Sequence, residues 1–382
     1  LSVGAAIGSV RQLYDGALTS DLQVRTFQQG ERLFPVREVK CGTRSAPLLR
    51  ASVPLTQVLF RSRGKAYDLV DYLALNRVTG LLVLKSGRIA LEEYQLGNDE
   101  STRWMSMSIV KSITAALIGA AIHQGLIGTI DDPVTEYLPQ LAGSAYEGVS
   151  VRHVLQMSSG VRWNETYTNP DSDRRRMLEA QIAQRPGAIL ELMATLPRAD
   201  APGSIWNYST GETYLAGALL RAAVAQPLAE YLSERIWTRC GMESDASWWL
   251  DSPGGLEIGG SGLSACLRDY GRFGLFMLSG GLAGGERILP PNWMHEASTP
   301  ALIGGKSVPY GYMLWPVTTN FTGLNAGAYR ALGIFGQHVY VNPLAEVVIV
   351  VWGALPKPSD SAPILDEDFF AAAVAALQAL ET

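Results

Sequence analysis

Ser108-Ile109-Val110-Lys111-Ser112-Ile113-Thr114-Ala115-Ala116-Leu117-Ile118 is the stretch on which the fold turns. Apolar residues occupy nearly all of its circumference, so the pattern predicts a buried helix over residues 108–124 rather than a surface one. Ser108 and Lys111 stand three residues apart at its start, and that spacing places both side chains on one helical face. A serine hydroxyl needs a base to become a nucleophile. A lysine in an apolar site at a helix N-terminus has its ammonium form disfavoured by desolvation and by the positive dipole end. Such a lysine can be neutral and take the serine proton. The Ser108 backbone N–H, at the helix start, is placed to meet an oxyanion.

Ser-x-x-Lys by itself also describes a capped helix with a surface lysine. Ser62-Arg63-Gly64-Lys65 matches it too, but its glycine and basic neighbours make a loop with no apolar helix behind it. Two further segments carry chemistry. Pro202-Gly203-Ser204-Ile205-Trp206-Asn207-Tyr208-Ser209-Thr210 is a turn with aromatics just before a helix, and can hold the Tyr208 phenol rigidly. Beside a lysine, such a phenol can have its pKa lowered and shuttle a proton. Gly333-Ile334-Phe335-Gly336-Gln337 is a glycine-rich strand entry, or else a place where an edge-strand N–H near Ile334 supplies a second oxyanion donor and Gly336 and Gln337 face substrate.

Working outward, residues 78–85 and 88–95 read as a hairpin turned by Ser86-Gly87. Residues 337–342 and 346–353 form a second hairpin around Pro343-Leu344-Ala345, and 366–380 reads as a helix that Asp366 can cap. The middle is helical: 150–159 with Ser150 as N-cap, 177–184, 188–196, 213–225 and 227–240. Strands at both ends with helices between them predict an α+β fold. One antiparallel sheet is built from both chain ends and flanked by helices, and an all-α domain is inserted. The expected division is an N-terminal extension at 1–65, an α/β domain at 66–130 and 285–382, and a mainly helical domain at 131–284, with the active site in the groove between the last two.

Composition narrows the function. Of 382 residues, 47 % are apolar and 18 % charged, which excludes intrinsic disorder. A net charge of −5 and a single basic run, Arg174-Arg175-Arg176, give nucleic-acid binding no support. The longest apolar runs, 115–122 and 347–355, fall far short of the roughly 20 residues of a spanning helix. Cys41, Cys240 and Cys266 lie too far apart for a disulfide framework or a zinc ribbon, and the four histidines have no metal-ligand spacing. No metal and no cofactor are called for, and the partner is a small-molecule substrate. Gly304-Gly305-Lys306-Ser307 is no phosphate loop, because Pro300 stands where that motif needs glycine. No G-x-S-x-G elbow occurs. The chain begins at Leu1 and residues 1–12 hold no complete signal-peptide pattern, which leaves exported and cytoplasmic locations both open.

Three ordered boxes together carry a resemblance. Trp104-Met105-Ser106-Met107-Ser108-Ile109-Val110-Lys111-Ser112, Val154-Leu155-Gln156-Met157-Ser158-Ser159-Gly160-Val161, and residues 333–343 with Tyr208-Ser209-Thr210 before them, resemble the β-lactamase and penicillin-recognising superfamily. The chain is most similar to the class C β-lactamase-like serine hydrolases, which include family VIII esterases and 6-aminohexanoate-dimer hydrolases. The resemblance runs from about residue 70 to the C-terminus. It implies a β-lactamase/transpeptidase-like fold and a metal-free acyl-enzyme mechanism. In it Ser108 is nucleophile, Lys111 its activator and Tyr208 general base and acid, and the N–H groups of Ser108 and Ile334 form the oxyanion hole. It also implies that Tyr167, in Trp163-Asn164-Glu165-Thr166-Tyr167, contacts the scissile amide nitrogen.

Two departures bear on substrate. Thr210 stands where β-lactamases have the Asn of Tyr-x-Asn, and Ile334-Phe335-Gly336 replaces Lys/His-Thr/Ser-Gly, so the side chain that binds a β-lactam carboxylate is missing. Nylon-oligomer enzymes place an acid beyond the tyrosine loop to hold substrate ammonium; here Asp171 and Asp173 run into three arginines. The reading is therefore a serine hydrolase of small esters or linear amides. A β-lactamase or D-alanyl-D-alanine peptidase is the alternative, which nitrocefin turnover would reveal. A non-catalytic ligand-binding module on the same fold is the third, and it would need none of Ser108, Lys111 and Tyr208.

Overall fold

The computed structural model describes residues 6–317 and 323–380. Its centre is a six-stranded antiparallel sheet made of β1 (Val78–Lys85), β2 (Arg88–Tyr94), β3 (Trp315–Pro316), β4 (Tyr329–Gly333), β5 (Gln337–Asn342) and β6 (Val347–Gly353). The spatial order is β3-β4-β5-β6-β1-β2. β6 pairs with β1, so the two ends of the chain meet in the middle of the sheet, as the paired hairpins predict.

Both faces of the sheet are covered, which is why β1, β5 and β6 are buried at nearly every position rather than at every second one. Four helices frame it and the site: α1 (Ile109–His123), α2 (Thr210–Val224), α3 (Leu267–Leu278) and α4 (Asp366–Ala379). On one face Leu81, Val83, Ile349 and Val351 pack against Phe369, Phe370 and Val374 of α4. On the other, Leu82, Leu84, Val348 and Val350 join the core of α1 and α3. Gly271 and Gly274 let α3 close on the sheet: a Cβ at Gly274 would lie 2.4 Å from Val348 Cγ1. Asp366 does not cap α4; Leu365 holds that position, and the Asp366 carboxylate accepts from Tyr72, Asn76 and His338 instead.

The chain departs from the expected division in three places. α3 lies within 131–284 yet packs on the sheet, because its apolar face matches that of β6. Residues before 65 are not irregular: they form helices Val10–Tyr14 and Ser20–Gln28 and strand Val36–Val39. Phe27 is fully buried, stacked on Trp104 at 5.0 Å and edge-on to Phe335 at 5.6 Å. A second antiparallel sheet also appears, ordered Val36–Val39, Ala246–Trp249, Leu263–Ala265, Trp104–Met105. Its last strand leads directly into Ser108, so it sets the direction of that segment. Trp248 and Trp249 are core side chains within it.

Gln337 joins the two sheets. Its side chain is fully buried, accepts from Trp104 Nε1 at 2.9 Å and the Gly353 N–H at 3.2 Å, and donates to the Gly353 carbonyl at 2.6 Å. The expectation that Gln337 faces substrate is corrected: strand alternation turns it inward. Gln337→Ala leaves three buried polar groups unpaired and is expected to cost roughly 2–4 kcal/mol in urea unfolding. KM for a small ester should stay near the wild-type value; a large KM rise at full stability would restore a substrate-binding role.

Candidate functional site

The site assembles from four segments. Ser108 occupies the N-cap position of α1, following Met107, which sits in the left-handed region at φ +49°. Lys111 is one turn on and 2 % exposed. Its Nζ lies 3.0 Å from Ser108 Oγ and donates to the Gly260 carbonyl at 2.7 Å. The 259–262 loop packs closely against this amine. A Cβ at Gly260 would come within 3.1 Å of Lys111 Nζ, so a larger residue there would crowd the amine.

Tyr208 precedes α2 and is hydrogen-bonded to Ser108. Lys111 Nζ stands 5.4 Å from the centre of its ring. The second sequence box positions this segment: the Met157 carbonyl accepts from the Asn207 N–H at 2.9 Å and the Ser158 carbonyl from the Gly203 N–H at 2.7 Å. Rings of Tyr310 and Trp315 pack edge-on and tilted against Tyr208, at 6.1 and 5.8 Å.

Tyr167 completes the front. Its hydroxyl donates to Glu165 Oε1 at 2.9 Å. The same carboxylate accepts from the Thr210 N–H at 2.9 Å, the Thr210 hydroxyl and Trp163 Nε1–H. Thr210, the departure from Tyr-x-Asn, is thus spent on orienting Glu165. Asp173 does not reach the cleft; it accepts from the Asn164 N–H and Arg176 and shapes the loop. Ser108, Glu165, Tyr167, Tyr208, Trp315, Leu332 and Ile334 line a cleft of about 180 Å³. Among the described residues, neither the Ser108 nor the Ile334 N–H is donated to an acceptor, so both remain for a ligand. Gly336 falls outside this cleft and lines another cavity, of about 320 Å³, beside His338 and Asp366, because the chain corners at Phe335 (φ +67°) and Gly336 (φ +86°). Glu165, Trp315 and the Gly260 carbonyl were not singled out from sequence. Glu165 alone had a usable signal there, its place in the Trp-Asn-Glu-Thr-Tyr segment.

Electrostatics divide the roles. Desolvation brings Lys111 down to about 7; Glu165 opposes this and Arg174 adds to it. A large share of the amine is therefore neutral near pH 7 and can accept the Ser108 proton. Tyr208 moves the other way: desolvation first and Glu165 second push its phenol up, against the Ser108 hydrogen bond. The lowered pKa expected for Tyr208 is corrected, and it stays protonated at neutral pH. Among the described residues no group of three or more His, Cys, Asp or Glu side chains gathers to hold a metal. No helix among them is long and apolar enough to cross a membrane.

The fold is that of the β-lactamase-like serine hydrolases. The family described as Beta-lactamase matches residues 76–373, and the chain belongs to it. The chain is 30 % identical over 309 residues to the 6-aminohexanoate-dimer hydrolase of Paenarthrobacter ureafaciens, covering 76 % of each protein. Esterase EstB of Burkholderia gladioli is 29 % identical over 151 residues, 37 % of this chain and 38 % of the esterase. A solved Bacillus anthracis chain provisionally named a 6-aminohexanoate-dimer hydrolase superposes with a TM-score of 0.83 at 23 % identity, covering 94 % of this chain and 96 % of that one. The resemblance read from the three boxes, and the fold it implies, are borne out.

A pH profile follows from the two pKa directions. If Lys111 accepts the Ser108 proton, its unprotonated form is the reactive one, and kcat/KM is expected to rise with pH through about 7. It should then hold level into alkaline pH, where Tyr208 keeps its proton. Glu165→Gln removes the negative charge that favours the Lys111 ammonium, so the rise should move to lower pH. A profile flat from acidic to mildly alkaline pH would remove Lys111 from the reaction.

Proposed function

We propose that this hydrolase cleaves small esters or linear amides through an acyl-enzyme on Ser108. The observation that carries the reading is a desolvated Lys111 amine, brought down to about 7, lying 3.0 Å from the Ser108 hydroxyl at the floor of a small cleft. Ser108 Oγ gives its proton to Lys111 and bonds to the substrate carbonyl carbon. The carbonyl oxygen, now an oxyanion, meets the N–H groups of Ser108 and Ile334. Tyr208 passes its proton to the leaving oxygen or nitrogen and is reprotonated from Lys111, so the cycle closes without a free phenolate. The C–O or C–N bond then breaks, leaving the acyl-enzyme. Water repeats the sequence in reverse and frees the acid. In this reading the Tyr167 hydroxyl, hydrogen-bonded to Glu165, meets the leaving group.

The cleft supports short, uncharged acyl groups. Its volume is below the several hundred Å³ of a drug-sized pocket. Among the described residues no Lys, Arg or His side chain lines it, so a β-lactam carboxylate beside the scissile bond would be desolvated without a partner there. This weighs against the β-lactamase and peptidase alternatives. The amide relative supports linear amides, and EstB supports esters.

The test is a panel of p-nitrophenyl esters, nitrocefin and 6-aminohexanoate dimer. Wild type should turn over short-chain esters, with nitrocefin far behind. Ser108→Ala should lose roughly 10⁴-fold or more in kcat/KM. An acyl donor should add its mass to Ser108 in the intact protein. Ester cleavage persisting in Ser108→Ala would refute the assignment, and nitrocefin turnover equal to ester turnover would favour the alternative.

A further inference from the structure

The family match begins at residue 76, yet a segment some sixty residues earlier is built into the cleft's front wall. Tyr14 ends the helix Val10–Tyr14 and is 1 % exposed. Its ring meets the Tyr167 ring edge-on, with centroids 5.1 Å apart and planes at 64°. Its hydroxyl accepts from Arg174 Nη2, and the Arg174 guanidinium carbon stands 5.0 Å from the Tyr14 ring centre. The next residue, Asp15, accepts from Arg175 Nη1 at 2.6 Å, and that same nitrogen donates to the Tyr167 carbonyl at 3.1 Å. The Tyr167 ring is thus held by Tyr14, and its backbone by Asp15 through Arg175.

Arg174 makes this arrangement costly to lose. It is 3 % exposed, and its Nε and Nη1 have no partner among the described residues. A buried guanidinium with spare donors is unfavourable unless a ring face and an acceptor offset it. Tyr14 supplies both. The Arg174 N–H also donates to the Asn164 carbonyl at 3.1 Å, which joins this residue to the start of the Glu165–Tyr167 loop. Without Tyr14, Arg174 gains by turning toward water, and the loop is released with it.

We propose that Tyr14 and Asp15 are positioning residues for Tyr167, so that the segment before the family domain sets how well the enzyme handles poor leaving groups. The proposal rests on the reading of Tyr167 given above. A p-nitrophenolate leaves without help, whereas an amide nitrogen must be met and protonated. Loss of the strap should therefore weigh more on amides than on activated esters.

The experiment is a double-mutant cycle with a separate structural readout. Tyr14→Ala and the milder Tyr14→Phe and Asp15→Asn are measured on a linear amide and on a p-nitrophenyl ester, each in wild-type and Tyr167→Phe backgrounds. In the wild-type background the amide kcat/KM should fall about tenfold, mainly in kcat, and the ester value by clearly less. In Tyr167→Phe the same substitutions should cost under twofold, because the residue they act through is already disabled. Hydrogen exchange over residues 164–176 should quicken in the strap variants while α1 stays protected. Arg11→Met, which breaks an exposed ion pair to Glu179 on the same short helix, should do none of this. Equal losses in both backgrounds, or unchanged exchange over 164–176, would overturn the proposal. A fully active Tyr167→Phe enzyme would overturn the catalytic role of Tyr167, and the exchange data tell that failure apart from failure of the strap.

Discussion

Everything around the cleft depends on keeping one amine uncharged. In the unfolded chain Lys111 holds its proton at neutral pH; in the fold, desolvation brings it to about 7. Each pKa unit is worth about 1.4 kcal/mol, so the burial costs on the order of a few kcal/mol near neutral pH. That is a sizeable part of the roughly 5–15 kcal/mol by which a typical protein is stable. The rest of the structure must offset it. The apolar circumference of α1 is one contribution. The Gly260 carbonyl is another, and it is held there because the four-stranded sheet brings Leu263–Ala265 alongside Trp104–Met105. Residues from the N-terminal segment, the Ser108 approach and the middle of the chain are thus one unit, whatever their separation in sequence.

This explains what could be read from the sequence and what could not. The central sheet was legible because β1 and β6 are seven to eight residues long and mostly apolar, and because β1 with β2 and β5 with β6 pair across tight turns. The four-stranded sheet was not. Its strands have two to four residues, too few for any period, and Val36–Val39 finds its partner some two hundred residues away. The helices before residue 30 are short and show few apolar positions, so their burial depends on contacts that local pattern does not encode. At the site, Ser108, Lys111, Tyr167 and Tyr208 come together as their motifs suggest. The Gly260 carbonyl has no side-chain signature at all, and Trp315 arrives only through pairing of β3 with β4. Gly336 and Gln337 were misplaced because they follow Ile334 around a corner, where adjacency in sequence no longer means a shared face.

Such corners recur at the cleft. Met107, Met157 and Phe335 all have positive φ without being glycine, and each adjoins a working element. Met107 precedes Ser108, the Met157 carbonyl holds Asn207 next to Tyr208, and Phe335 follows Ile334. A left-handed conformation costs such residues on the order of 1 kcal/mol or more. All three side chains are essentially fully buried, and burying a large apolar side chain contributes roughly 1.5–3 kcal/mol. The side chain therefore anchors each bend, while the backbone beside it is aimed at the cleft. A polar loop residue would tolerate the angle as well but could not hold it against a packed core.

Burial also sets apart the two titratable groups beside Ser108, Lys111 and Tyr208. Burial lowers the pKa of an amine and raises that of a phenol, because it opposes charge in both. One dry cleft therefore gives a lysine that readily accepts a proton and a tyrosine that holds one. Glu165 adds a negative field that acts on both in the same sense: it favours the Lys111 ammonium once formed, and it disfavours a Tyr208 phenolate. It is also the group that orients Tyr167. A cleft already carrying this carboxylate, with Leu332, Ile334 and Trp315 for walls, repels an anionic substituent at the scissile bond and accepts a neutral one. The absence of a cationic side chain from the segment 334–336 and the use of Thr210 to fix Glu165 thus act in the same sense, because neither offers a substrate carboxylate a partner beside Ser108.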